Sequence, residues 1–166
     1  IVVNDTCESS VPGVYAVGDV NGGPQFTYIS LDDFRIVFGA LTGNSQYTLK
    51  DRKNIPYTTF LTPPLSRVGL TEEDAINQGY MVKTKEMLVA TMPRAHVNDY
   101  LKGAFKIVVD ADNDLILGAT LYAQGAEELI NLIKIAMDNN IPYTYFKNQI
   151  FTHPTMAENL NDLCNF

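Results

Sequence analysis

The sequence predicts an α+β fold, an antiparallel sheet with helices packed on one side, preceded by a separate strand–helix unit. Residues 102–110 and 115–122 are two apolar, β-branched runs joined by Ala111-Asp112-Asn113-Asp114, which is a hairpin signal. Residues 126–139 follow Gly125 and place Leu129, Ile130, Ile133, Ala136 and Met137 at three- and four-residue spacings, the stripe of a helix lying on a core. The overall order of helix, strands and then helices suggests two layers around one sheet.

Each element is argued locally. Val14-Tyr15-Ala16-Val17, after the turn pair Pro12-Gly13, predicts a short buried strand ending at Gly18-Asp19. Asn21-Gly22-Gly23-Pro24 is a loop dense in breakers. Ser30-Leu31-Asp32-Asp33 has the form of a capping box, which predicts a helix through Phe34, Ile36, Val37 and Leu41 ended by Gly43. Residues 44–54 are polar and mixed in charge, so they read as a linker between residues 1–43 and 55–166. Residues 57–61 have strand character, stopped by Pro63-Pro64. Thr71-Glu72-Glu73-Asp74 is a second capping box, opening a short helix closed by Gly79. Residues 82–90 alternate as a strand does. Ile141-Pro142 starts a short helical piece, and a last helix runs to about Leu163.

Composition excludes several functions. At 46% hydrophobic and 19% charged residues the 166-residue chain has material for a real core, unlike a disordered segment. A net charge of −7 and the lack of a Lys/Arg cluster argue against nucleic acid and anionic membrane as partners. No apolar run nears the roughly 20 residues of a spanning helix. Cys7 and Cys164 make no disulfide framework, and no Cys-x-x-Cys or zinc spacing occurs, so a reducing, cytoplasmic setting and no metal site are expected. The opening Ile-Val-Val-Asn-Asp lacks an initiator Met and a basic leader, as if sequence upstream had been removed.

Candidate chemistry sits in three places. Asp110, Asp112 and Asp114 resemble the start of a calcium loop. The spacing lacks the Gly and the Glu that such a loop needs, so a polar turn is expected. Gly18-Asp19 puts a carboxylate beside a residue that permits close approach, suited to a sugar or ribityl hydroxyl, although turns also favour Asp. His153 has Glu158 five residues on. That carboxylate could cap the last helix with Thr155, or orient the imidazole as a general acid/base, and its two oxygens allow both. Cys164 has no cationic neighbour by sequence and is expected to be inert.

Three stretches resemble one family. Val11-Pro12-Gly13-Val14-Tyr15-Ala16-Val17-Gly18-Asp19 is similar to the second flavin-binding motif of the glutathione reductase/lipoamide dehydrogenase family. Pro63-Pro64-Leu65-Ser66-Arg67-Val68-Gly69-Leu70-Thr71-Glu72 resembles the start of its dimerisation domain. Ile150-Phe151-Thr152-His153-Pro154-Thr155-x-x-Glu158 resembles its carboxyl-terminal signature. Gln25-Phe26-Thr27-Tyr28, Thr62-Pro63-Pro64, Pro93-Arg94-Ala95 and Leu160-Asn161-Asp162-Leu163 are further similar to a reactive-chlorine-resistance flavoprotein branch, associated with copper(II) reduction.

The resemblance implies that residues 1–43 are the tail of an FAD-binding domain and residues 55–166 the dimerisation domain of a homodimer. It implies that Gly18 and Asp19 bind the ribityl chain and that Gln25, Phe26 and Thr27 approach the flavin ring. His153, with a cis bond to Pro154 and Glu158 behind it, would serve the partner's active site, where the thiol exchanging with a disulfide or metal-ion acceptor lies. FAD and NAD(P)H belong to the whole enzyme; with no redox cysteine pair and no Gly-x-Gly-x-x-Gly, this piece is expected to bind neither and to be inactive. The alternative is a non-catalytic homodimerisation module.

Overall fold

A computed structural model describes every residue, Ile1–Phe166, in two units, Ile1–Lys53 and Asn54–Phe166. In the first unit the one long element is α1 (Thr27–Leu41), which buries Ile29, Asp33 and Ile36. It begins after an extended Phe26 that makes no side-chain cap. The expected capping box at Ser30 is therefore not the start of the helix. Asp33 lies on the buried face, where its carboxylate takes the Gly18 N–H instead of returning to the helix terminus.

The strand expected over residues 14–17 does not form either. Tyr15 makes a single antiparallel bridge to Glu8, and Val14 and Val17 are exposed. Backbone groups must find partners, and here they find them in a tight loop: Ser9 N–H donates to Val14 O and Ala16 N–H to Cys7 O. Gly18–Asn21 is a 3-10 turn. Within residues 44–54 a second 3-10 turn, Leu49–Asp51, is closed by a reciprocal Thr48–Asp51 box. Leu49 N–H donates to Asp5 O, and Lys50 pairs with Asp5.

The second unit is a five-stranded antiparallel sheet. Its strands are β1 (Tyr57–Thr59), β2 (Leu65–Gly69), β3 (Val82–Leu88), β4 (Ala104–Asp110) and β5 (Ile116–Tyr122), in the spatial order β1-β2-β5-β4-β3. The expected hairpin is β4–β5, with a register shift at Val108/Val109 and a turn in which Asp110 accepts the Asp112 N–H. The expected strand at 57–61 is shorter, and that at 82–90 ends at Leu88 and passes into a 3-10 turn.

Alternation explains the layers. Phe105, Ile107 and Val109 of β4, Ala119 and Leu121 of β5, and Val68 of β2 bury one face. Onto it pack α4 (Ala126–Asp138), through Leu129, Ile130 and Ile133, and α6 (Asn159–Leu163), through Leu160 and Leu163. Between them runs α5 (Tyr143–Lys147). The short α2 (Glu72–Asn77) starts with the expected Thr71–Asp74 box and reaches the opposite face through a Glu72–Lys106 ion pair. Two elements were not expected: β2, and α3 (Pro93–Val97), which opens with Pro at its first position. No helix is long and apolar enough to cross a membrane.

Candidate functional site

The residues proposed from sequence fall into two groups, one in each unit. In the second unit the chain leaves α5 and runs to α6 as an irregular segment, pinned where Asn161 Nδ2 donates to Phe146 O and Gln149 O. His153 stands on this segment before a cis His153-Pro154 bond. Thr155 and Glu158 close a turn just ahead of α6: Thr155 N–H donates to Glu158 Oε1 at 3.0 Å, and Glu158 N–H donates to Thr155 Oγ1 at 3.2 Å. The second oxygen, Glu158 Oε2, faces His153 Nδ1 at 2.7 Å. Glu158 thus closes the turn with one oxygen and meets the imidazole with the other.

The electrostatics follow from that geometry. The hydrogen bond from His153, and secondarily the Thr155 N–H, holds the Glu158 carboxyl below its ordinary range. One ring nitrogen of His153 is engaged while its side chain remains 69% exposed. Neither of two open clefts in this unit, one of about 530 Å³ beside Asp110 and Met137 and one of about 740 Å³ beside Arg67 and Lys106, includes His153 or Glu158. Ile150, three residues before the imidazole, is 96% exposed. An oriented acid/base on an open surface can move a proton only for something that comes to it.

In the first unit Gly18 is buried and Asp19 exposed. Gly18 has φ +73°, and a Cβ there would come within 2.8 Å of Ser30 Oγ, so this turn requires glycine. Gln25 and Thr27 are exposed at the start of α1, and Phe26 stacks on Tyr28 with ring centroids 5.1 Å apart. Sequence reasoning missed the residues behind the turn. Asp33 Oδ2 accepts from Gly18 N–H at 2.7 Å and Asn21 Nδ2 at 2.8 Å, while Oδ1 takes Arg52 Nη2. The available signal was a carboxylate on the helical stripe Ile29, Asp33, Ile36.

The sequence profile of the pyridine nucleotide-disulphide oxidoreductase dimerisation domain matches residues 55–164. The chain belongs to the pyridine nucleotide-disulfide oxidoreductases, and its second unit is their dimerisation domain. Over 163 residues it is 47% identical to RclA of Escherichia coli, described as a probable pyridine nucleotide-disulfide oxidoreductase, covering 98% of this chain and 37% of that protein. It is 34% identical to a mercuric reductase of Lysinibacillus sphaericus, covering 96% of this chain and 29% of that one. The solved E. coli RclA, a HOCl-induced flavoprotein disulfide reductase also determined as a Cu(II) complex, superposes with a TM-score of 0.95 over 98% of this chain and 38% of that chain. LpdA of Mycobacterium tuberculosis shares the fold, with a TM-score of 0.87 at 21% identity over 98% of this chain and 35% of its own. The chain thus spans between 29% and 38% of the length of these relatives.

Proposed function

We propose that the chain is the interface portion of a homodimeric, cytoplasmic flavoprotein, in which His153 and Glu158 form an acid/base pair for the partner subunit's active site. The observation that carries this reading is the 2.7 Å contact between His153 Nδ1 and Glu158 Oε2 beneath an otherwise exposed ring. A carboxylate at Nδ1 fixes the ring and its orientation, leaving Nε2 to give and take a proton. The pair lies outside the two clefts described above, and a dimerisation domain offers a second surface. That dimer should bury on the order of 2,000 Å² or more, as obligate dimers do.

The first unit fits part of a flavin. Gly18 lets the turn close tightly against Ser30, the exposed Asp19 can accept ribityl hydroxyls, and Gln25, Phe26 and Thr27 would approach the ring. FAD, when bound, supplies hydride transfer from NAD(P)H and electrons for a cysteine pair. His153, steadied by Glu158, protonates and deprotonates the thiol that exchanges with the acceptor, and a charged imidazole favours the thiolate. The E. coli relative, a disulfide reductase also solved as a Cu(II) complex, supports a small disulfide or a metal ion as that acceptor. Net charge −7 supports neither nucleic acid nor membrane as partner.

In the full-length enzyme His153→Ala should slow the half-reaction with the acceptor by about 10²–10⁴-fold, the worth of general acid–base catalysis. Flavin reduction by NAD(P)H should stay near the wild-type rate. Stopped-flow absorbance separates the two, and a variant that loses flavin reduction instead contradicts the role. Residues 1–166 alone, which carry no redox cysteine pair, should oxidise no NAD(P)H with added FAD; measurable turnover would refute this.

A further inference from the structure

We propose that Asp33, paired with Arg52, is a positioning residue that holds the Gly18–Asn21 turn in the shape that presents Asp19 to the flavin, an inference that rests on the flavin reading of that turn. Asp33 is fully buried, and the Arg52 side chain is only 9% exposed. A buried carboxylate is retained only where its charge is met. Here three donors meet it, the Gly18 N–H and Asn21 Nδ2 from the turn and Arg52 Nη2 from the segment after the helix. Arg52 is itself fixed, since its Nε donates to Asp32 Oδ2 at 2.6 Å, and that same oxygen accepts from Tyr47 Oη at 3.2 Å.

The turn is thereby determined from two sides. Its Gly18 N–H and Asn21 amide are held by one oxygen of Asp33, and Ser30 leaves no room for a Cβ at Gly18. Asn21 Oδ1 in turn accepts the Gly23 N–H, extending the order into the loop before Gln25. Asp19, between these anchors, is exposed. A carboxylate meant to meet sugar hydroxyls is useful only if its backbone is fixed beforehand, and the Asp33–Arg52 pair supplies that fixing from the segment that leads out of the unit.

The test uses the full-length protein and FAD. Asp33→Asn and Arg52→Gln should each raise the Kd for FAD by about tenfold or more, the scale of one lost charge-assisted hydrogen bond. Arg52→Lys, which keeps the charge, should lie closer to wild type. The double variant Asp19→Asn/Asp33→Asn should bind FAD about as weakly as Asp19→Asn alone, because one residue acts through the other. Additive losses in that cycle overturn the proposal, as does a lowered apoprotein Tm in Asp33→Asn with an unchanged Kd. If Asp33→Asn yields no folded protein, Arg52→Gln carries the same comparison with Asp19→Asn. A wild-type Kd in Asp19→Asn removes the flavin reading of Asp19. A wild-type Kd in Asp33→Asn and Arg52→Gln, with Asp19→Asn impaired, removes the positioning role alone.

Discussion

Glu158 has two oxygens with different duties, and its titration should report both. Its carboxyl is held below the ordinary range mainly by the hydrogen bond to His153. A group whose folded pKa is depressed contributes stability that is fully present above its unfolded value, about 4.3 for Glu, and lost as pH falls through the folded value. The Tm difference between wild type and Glu158→Gln should therefore be full at neutral pH and close as the solution is acidified below about pH 4. A difference that persists at low pH would mean that the carboxylate's charge is not what matters. At the thiols, burial pushes Cys164 up to about 12 and also raises Cys7, where Asp33 adds to the effect. Peptide mapping after alkylation at pH 8 should find both unmodified in the folded chain and labelled after denaturation.

At the scale of elements, the sheet and α4 carry the core. Ile133 is fully buried in the middle of that helix. Ile133→Ala should cost about 2–5 kcal/mol in denaturant unfolding, the range for deleting a buried aliphatic side chain. Gly118 pairs with Gly69 on β2 and Val108 on β4. A Cβ at 118 would strike the backbone of Leu70, which cannot move aside as a flexible side chain could. Gly118→Ala should therefore destabilise by about 1–3 kcal/mol, the cost of overpacking. The elements caught most closely from sequence are those with a period or a local cap, the β4–β5 hairpin, α4 and the Thr71 box of α2, while β1, β3, α1, α5 and α6 were expected with looser bounds. Sequence reading missed β2 because Leu65-Ser66-Arg67-Val68 reads as polar, and the buried Ser66 is satisfied only by Thr58 on the neighbouring strand, 2.8 Å away.

For the whole chain, Asn54–Phe166 forms a unit with its own continuous core. Expressed alone, residues 54–166 should unfold in one cooperative transition that coincides by circular dichroism and fluorescence. Non-coincident transitions would show that the first unit is needed to complete the core. The full-length protein should sediment as a dimer, since its second unit is a dimerisation domain; a monomer with full activity would remove the proposed role of His153.

The sequence by itself determined the family, through three motifs that resemble it, and the α+β class, the hairpin and the adjacency of His153 to Glu158, through local spacing: a period of two or of 3.6, or a turn that closes in a few residues. It also allowed two duties for Glu158 without choosing between them. Only the tertiary structure decided that both oxygens are used, that residues 14–17 bridge at one point rather than pair as a strand, and that Asp33 faces inward. The first two turn on which of several near partners each group takes, and the last on a partner far along the chain. Arg52 lies nineteen residues from Asp33, and no local pattern records which distant cation will neutralise a buried carboxylate.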